Sequence, residues 1–131
     1  MLSVTDGGSL ARALSSSINN HLKNLLTTRF EQLGCDIKGQ ARFIVAQPAD
    51  PLPVVHQALG FSPLRNPIDG SRFGDPEFTP AWEWMEDHGF CFELTFIFDD
   101  SGFAHVLIVE KAEGVDTELL TLCRTYASEH A

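Results

Sequence analysis

Apolar and polar positions alternate most clearly between Phe90 and Val109. Every second residue from Phe90 to Phe98 is phenylalanine or leucine, which is the two-residue period of a strand with one apolar face. A β-branched and apolar run resumes at Phe103, after the turn-forming residues 99–102. The segment is therefore predicted to be a β-hairpin at the centre of the fold.

The turn of this hairpin predicts which residues face each other. Gly102 suits a type I turn followed by a left-handed glycine, a loop that places Phe96 opposite Val106. A two-residue turn at 100–101 would instead place His105 opposite Phe96, within the apolar row. We predict the first register because it buries less polar surface.

Helical spacing dominates the first quarter of the chain. Leucine and isoleucine recur three and four residues apart between Ser9 and Leu33, which predicts one long amphipathic helix ended by Gly34. At about 25 residues the helix would be about twice the usual length. We therefore expect its excess length to pack on a second copy of the chain, as a homodimer.

Shorter elements follow from alternation and capping residues. A strand is predicted from Ala41 to Gln47, and a short helix from Asp50-Pro51 to Leu59. Asp116 is the predicted N-cap of a last helix that ends near Ser128, with a stripe of apolar residues on its buried face.

The segment from Thr79 to Gly89 has two interpretations. Thr79 and Pro80 suit the start of a helix and Gly89 its end, and we favour this interpretation slightly. The alternative is a strand with a turn at 87–89, forming a meander with the hairpin. A helix would leave Trp82 or Trp84 exposed as an anchor for a partner, unless both rings lie in the core.

Together these elements predict one α+β domain over residues 1–131. A small, largely antiparallel sheet of about three to four strands would pack in two layers against the long N-terminal helix and the C-terminal helix.

Charge is distributed unevenly along the chain, whose net charge is −9. Residues 1–74 hold five acids and seven bases, whereas residues 75–131 hold thirteen acids and two bases. Such a field repels nucleic acid and favours a basic protein surface, although the acids could also serve solubility alone. The candidate partner-binding residues are those of the acidic aromatic segment: Trp82, Glu83, Trp84, Glu86 and Asp87.

The compartment is predicted to be the cytoplasm. The sequence has no apolar run of bilayer length and no basic segment followed by an apolar one near its start. Its three cysteines are an odd number, lie far apart and form no CxxC pair, so reduced thiols are expected.

No motif of a hydrolase elbow, phosphate loop or dinucleotide site occurs, and the five histidines lack metal-ligand spacing. On a helix, Glu83, Glu86 and Asp87 would share a face beside His88 and could hold a cation, but a solvated acidic face is the favoured interpretation. We therefore predict no metal, no cofactor and no catalytic residue.

A second candidate site combines the long loop 61–79 with the reverse face of the hairpin. Its residues offer cations, a carboxylate, a hydroxyl and an imidazole: Arg65, Arg72, Glu93, Thr95 and His105. Such a set could bind a small ligand, and Glu93 with His105 could act as an acid–base pair. The alternative is a surface loop that packs on its own apolar side chains.

Four segments carry a resemblance: 80–84, 92–96, 99–103, and 114–116 with Leu119-Leu120. They resemble small bacterial accessory proteins carried on mobile elements, a group for which no function is known. The small α+β plan and low isoelectric point are also similar to the acidic dimeric chaperones of type III secretion. These resemblances imply a bacterial accessory role.

The function predicted from the sequence is therefore non-enzymatic. The acidic C-terminal half would dock a basic partner, as an immunity, antidote or secretion-chaperone-like protein does. The alternative function is a small ligand-binding or catalytic domain that uses the reverse face of the sheet and the loop 61–79.

Overall fold

The structure, a computed structural model, describes residues 1–33, 41–59, 82–97 and 104–130. Its elements are β1 (Leu2–Val4), α1 (Gly7–Leu14), α2 (Asn20–Leu33), β2 (Ala41–Ala46), α3 (Leu52–Leu59), β3 (Trp82–Asp87), β4 (Cys91–Ile97), β5 (Ala104–Glu110) and α4 (Thr117–His130). None of the helices in these ranges combines the length and apolarity needed to cross a membrane. The predicted loop 61–79 and the turn 99–102 lie outside the described residues.

The strands form one mixed sheet in the order β1-β2-β5-β4-β3. β2 and β5 run parallel, whereas the other neighbouring pairs are antiparallel. The α+β class is confirmed, but the sheet has five described strands rather than the predicted three to four. β1 has no counterpart among the predicted elements, because three residues are too short to show a period.

Helices cover both faces of the sheet, so the predicted two-layer arrangement is wrong. One face packs against α1 and α2 through Ala13, Leu22, Leu26 and Phe30, and against Ile18 from the segment between the two helices. The other face packs against α3 and α4, through Val55, Leu119 and Cys123. Strands buried on both sides are apolar at successive positions, as Phe43-Ile44-Val45-Ala46 of β2 are.

The predicted long N-terminal helix is two helices. Ser15 and Ser16 donate hydroxyl hydrogen bonds back to the carbonyls of Ala11 and Ala13, which ends α1. The Asn19 side chain then accepts from the backbone N–H of His21 and starts α2. The break removes the excess length on which the expectation of a homodimer rested.

The hairpin strands form as predicted, but the register is wrong by one residue. His105, and not Val106, lies opposite Phe96. The predicted register avoided burying an imidazole, yet Arg42 on the parallel neighbour β2 donates its Nε–H to His105 Nδ1 at 2.9 Å. This hydrogen bond offsets the free-energy cost of burying the imidazole, which was the reason for predicting the other register.

The favoured helix over residues 80–88 is also wrong, because residues 82–87 are strand β3. β3 pairs antiparallel with β4 from Trp82 opposite Ile97 to Asp87 opposite Phe92. The turn falls at residues 87–89, as the strand interpretation placed it, and the backbone N–H of His88 donates to the Cys91 carbonyl at 3.0 Å. Cross-strand hydrogen bonds outweigh the local helix signals here.

The C-terminal helix is close to its prediction. α4 begins at Thr117, and the Asp116 carboxylate accepts from the Glu118 backbone N–H at 2.9 Å. Leu119 and Cys123 are buried, which confirms the predicted apolar stripe at these two positions.

Candidate functional site

β3 is one of the two edge strands of the described sheet, and it holds all five candidate partner-binding residues. Within the described residues, β3 pairs only with β4, so its second edge faces away from the sheet. The backbones of Trp82, Glu83 and Trp84 are described, but their side chains are not. The candidate segment is therefore an edge strand instead of a helix face.

Glu93 on β4 is the fully buried acid of this corner, with a side chain that is 0% exposed. Arg29 on α2 reaches it with two donors: Nε lies 2.6 Å from Oε2 and Nη2 lies 3.0 Å from Oε1. The hydrogen bond to Glu93 is the main cause that raises the pKa of Arg29 above its ordinary value. A permanent positive charge thus faces the buried carboxylate in a two-donor geometry.

His88 and Glu86 complete the cluster. His88 Nε2 lies 2.7 Å from Glu93 Oε1 and 3.0 Å from Glu86 Oε2. The Glu86 carboxylate also lies 3.5 Å from Arg29 Nη2. We call Arg29, Glu86, His88 and Glu93 the corner cluster.

Local structure explains why these side chains meet. Glu86 and Glu93 are directly paired across β3 and β4, so the pleat places both on the sheet face that packs against α2. Gly89 turns the chain with φ of +87° just after His88, a backbone conformation that favours glycine. The Phe90 ring lies 5.9 Å from the His88 ring and forms an apolar wall beside it.

Asp87, the neighbour of Glu86 and His88, takes a separate partner. Its carboxylate accepts from Lys111 Nζ at 2.7 Å and from the Gly89 backbone N–H at 2.9 Å. The hydrogen bond from Lys111 is the main cause that lowers the pKa of Asp87. Lys111 also lies over the Phe92 ring, 4.3 Å from its centroid. Glu86 and Asp87 are therefore not two equivalent free acids.

The described members of the second candidate site do not come together. Glu93 and Thr95 are buried on the face under α2, whereas His105 is paired with Phe96 and so belongs to the opposite face. The acid–base pair of Glu93 and His105 is excluded by this geometry. Arg65 and Arg72, the remaining members of the site, lie outside the described residues.

His105 is kept neutral by its surroundings. Burial first, and then the charge of Arg42, lower its pKa from 6.5 to about 4. Its Nδ1 accepts the hydrogen bond from Arg42 Nε, which fixes the proton of the neutral ring on Nε2. Burial also lowers the pKa of Arg42.

The described cysteines are free thiols, Cys91 and Cys123, and both are fully buried. Burial raises the pKa of each to about 12, with the charge of Glu93 as a second cause at Cys91. Neither is a thiolate near neutral pH, and both side chains pack in the core.

Sequence reasoning named Glu93 and Glu86 separately, but it missed Arg29 as a partner of either. Arg29 is 64 residues from Glu93 in the chain, so no spacing rule joins them. One signal was available: Glu93 stands between Phe92 and Leu94 in a predicted strand, and a carboxylate that becomes buried needs a partner.

Comparisons of the chain with protein-family models, with curated proteins and with solved structures found no match.

Proposed function

We propose that this protein is a binding protein for a basic protein partner, which it engages along the edge of β3 that is unpaired within the described residues. The role is that of an immunity, antidote or secretion-chaperone-like accessory protein, without catalysis of its own. The observation that carries the proposal is the position of β3. This strand contains both tryptophans and three acids, and it lies at an edge of the described sheet.

An edge strand offers unpaired backbone groups to an incoming extended segment. Strand addition of this kind derives affinity from main-chain hydrogen bonds and specificity from the side chains on either side. The two tryptophans of the chain, Trp82 and Trp84, both belong to β3. Tryptophan is enriched among the residues that dominate binding energy at protein interfaces.

Charge selects the partner. Three of the six β3 residues are acids, and the half of the chain from residue 75 holds thirteen acids against two bases. An acidic surface attracts a basic partner and repels nucleic acid, most strongly at low ionic strength. The free thiols of Cys91 and Cys123 support a reducing compartment, and we place this binding in the cytoplasm.

The test uses two synthetic strand-forming peptides, one alternating lysine with valine and one alternating glutamate with valine. Because both tryptophans lie in β3, intrinsic fluorescence reports on this strand directly. We expect the lysine peptide to change the fluorescence saturably and the glutamate peptide to leave it unchanged. The affinity should fall at least about tenfold between about 50 mM and about 500 mM NaCl.

A matched pair of charge reversals locates the binding. Glu83→Lys changes an acid within β3, whereas Glu31→Lys makes the same change at an exposed position on α2. Only Glu83→Lys should weaken the binding of the lysine peptide. Equal binding of the two peptides, no binding of either, or equal effects of the two reversals would contradict the proposal.

A further inference from the structure

Three potential metal ligands from two strands and the turn between them converge in the corner cluster. One oxygen each of Glu86 and Glu93 and Nε2 of His88 all lie within 4.8 Å of one another. The set is not a patch of surface acids, because it combines an imidazole nitrogen with a carboxylate that has no solvent exposure.

One proton cannot serve both carboxylates that face His88. Nε2 carries at most one hydrogen, yet oxygens of Glu93 and Glu86 lie 2.7 Å and 3.0 Å from it. A hydrogen bond is strongest when it is close to linear, so a hydrogen on Nε2 would satisfy only one of these two acceptors fully. A cation placed between the three atoms would bind both oxygens and the nitrogen lone pair together.

The two separations from His88 Nε2 suit such an ion. Nitrogen and oxygen ligands lie about 2.1 Å from zinc-like ions, which separates neighbouring donor atoms by about 3.0 Å at right angles and about 3.4 Å in a tetrahedron. The two separations measured from His88 Nε2, 2.7 Å and 3.0 Å, are within a few tenths of an ångström of this range. A small outward rotation of Glu86, whose side chain is 42% exposed, provides the remaining space.

Arg29 lies where it can hold one of the proposed metal ligands in place by hydrogen bonds. Its Nε donates to Glu93 Oε2 and its Nη2 to Oε1, the oxygen that also faces His88, and carboxylates that bind metals are themselves held by hydrogen bonds. Two carboxylates and one guanidinium leave the cluster with one net negative charge when His88 is neutral, which favours a divalent cation.

Stability alone is a weak reason for this arrangement. A buried ion pair is often no more stabilising than apolar residues of the same volume, because both charges lose their hydration. Glu93 nevertheless stands among fully buried apolar neighbours on β4, such as Phe92 and Leu94. A ligand that uses the carboxylate accounts for its position more directly.

We propose that Glu86, His88 and Glu93 bind one divalent transition-metal ion of the zinc class, with Arg29 as a positioning residue for Glu93. The imidazole selects against calcium and magnesium, which prefer oxygen ligands alone. Three protein ligands leave at least one coordination position for water or another ligand. This site goes beyond the binding of a basic partner and does not depend on it.

The test is metal binding by the full chain after removal of metals with a chelator and dialysis. Co²⁺ should bind with a stoichiometry of one and give a visible absorption band, and Zn²⁺ should displace it. Zn²⁺ should also raise the thermal midpoint, since a ligand that binds only the native state stabilises it. Failure of the full chain to bind either ion would overturn the proposal.

Two variants and two matched controls assign the ligands. Glu86→Gln and His88→Gln should each weaken Co²⁺ binding at least about tenfold. Glu118→Gln, at an exposed position on α4, and His21→Gln, at an exposed histidine whose ring lies 5.4 Å from that of Phe90, should bind as the parent does. Unchanged affinity in both cluster variants would contradict the assignment, as would an equal loss in the controls.

A nuclear magnetic resonance readout separates metal binding from altered folding. Zn²⁺ should shift the Nε2 resonance of His88 and leave that of His21 in place, in a chain whose circular dichroism is unchanged. The peptide test of β3 is performed without metal, so either proposal can fail while the other holds.

Discussion

Arg29 and Glu93 form a two-donor ion pair that joins α2 to the turn end of the β3–β4 hairpin. The Arg29 side chain is 19% exposed and the Glu93 carboxylate is fully buried. A buried charge without a counter-charge is costly, so each residue makes the position of the other possible. The pair therefore anchors the helix over the sheet face that carries the corner cluster.

Removal of the arginine alone should be strongly destabilising. Arg29→Met leaves Glu93 buried without its permanent cation, and we expect a loss of about 3–5 kcal/mol in the free energy of unfolding. Urea denaturation measures the change. Arg12→Met, at an exposed position on α1, should cost less than about 0.5 kcal/mol.

The double variant Arg29→Met/Glu93→Leu tests the cause of that loss. If the penalty comes from an uncompensated buried carboxylate, removing the carboxylate as well should recover most of the stability. A double variant no more stable than Arg29→Met would show that packing of the arginine, and not its charge, matters at this position.

His105 should make the native state less stable as the pH falls. Its pKa is lowered from 6.5 to about 4 by burial and by Arg42, so between these values the unfolded chain binds a proton that the native state does not. Stability from this residue is therefore complete above pH 6.5 and is lost progressively as the pH falls towards about 4. The titration of its imidazole resonance gives the native pKa.

A second measurement ties this pH dependence to His105. The slope of the unfolding free energy against pH in this window should be shallower in His105→Gln. The pKa values of Asp6 and Asp87 are lowered from 3.8, so these residues change the unfolding free energy only below this pH window. The slope below the window should therefore be the same in His105→Gln and in the parent. A native imidazole titrating near 6.5 would refute the prediction.

Cys91 and Cys123 should resist alkylation in the folded protein. Both thiols are buried and have pKa values near 12, so almost no thiolate is present at pH 8. Iodoacetamide followed by peptide mass mapping should modify them only after urea is added. Modification of either at the same rate with and without urea would contradict their placement. Cys35 lies outside the described residues.

Two glycines with similar backbones should differ in their tolerance of alanine. Gly89 and Gly114 have φ of +87° and +92°, so alanine should cost about 1–2 kcal/mol at either position. A Cβ at Gly89 meets nothing within 4 Å, whereas at Gly114 it lies 3.3 Å from Pro48 Cβ. Gly114→Ala should therefore lose more stability than Gly89→Ala in urea, and equal losses would exclude the Pro48 contact as a constraint.

The hairpin shows how far periodicity carries a prediction. Alternation located β4 and β5 to within a residue or two, and the buried positions of Phe92, Leu94 and Phe96 are confirmed. The register was missed because it depended on the assumption that a histidine opposite Phe96 would lack a partner. Arg42, which removes that objection, lies 63 residues from His105 in the chain.

Segment 82–87 shows the opposite case, in which local signals pointed to a helix but the folded protein forms a strand. Proline near the start and glycine at the end suit a helix, but six consecutive residue pairs with β4 determine a strand. Such pairing depends on a neighbour that is available only in the folded protein, which is why β propensity is so dependent on context.

By itself, the sequence determined which segments are apolar enough to be buried, where most of the elements begin and end, and how acidic the second half is. These properties reside in neighbouring residues and their spacing. The tertiary structure decided that helices cover both faces of the sheet, that β3 lies at its edge, and that Arg29 meets Glu93, Glu86 and His88. Contacts across such distances in the chain follow from the way the layers pack, which no local pattern records.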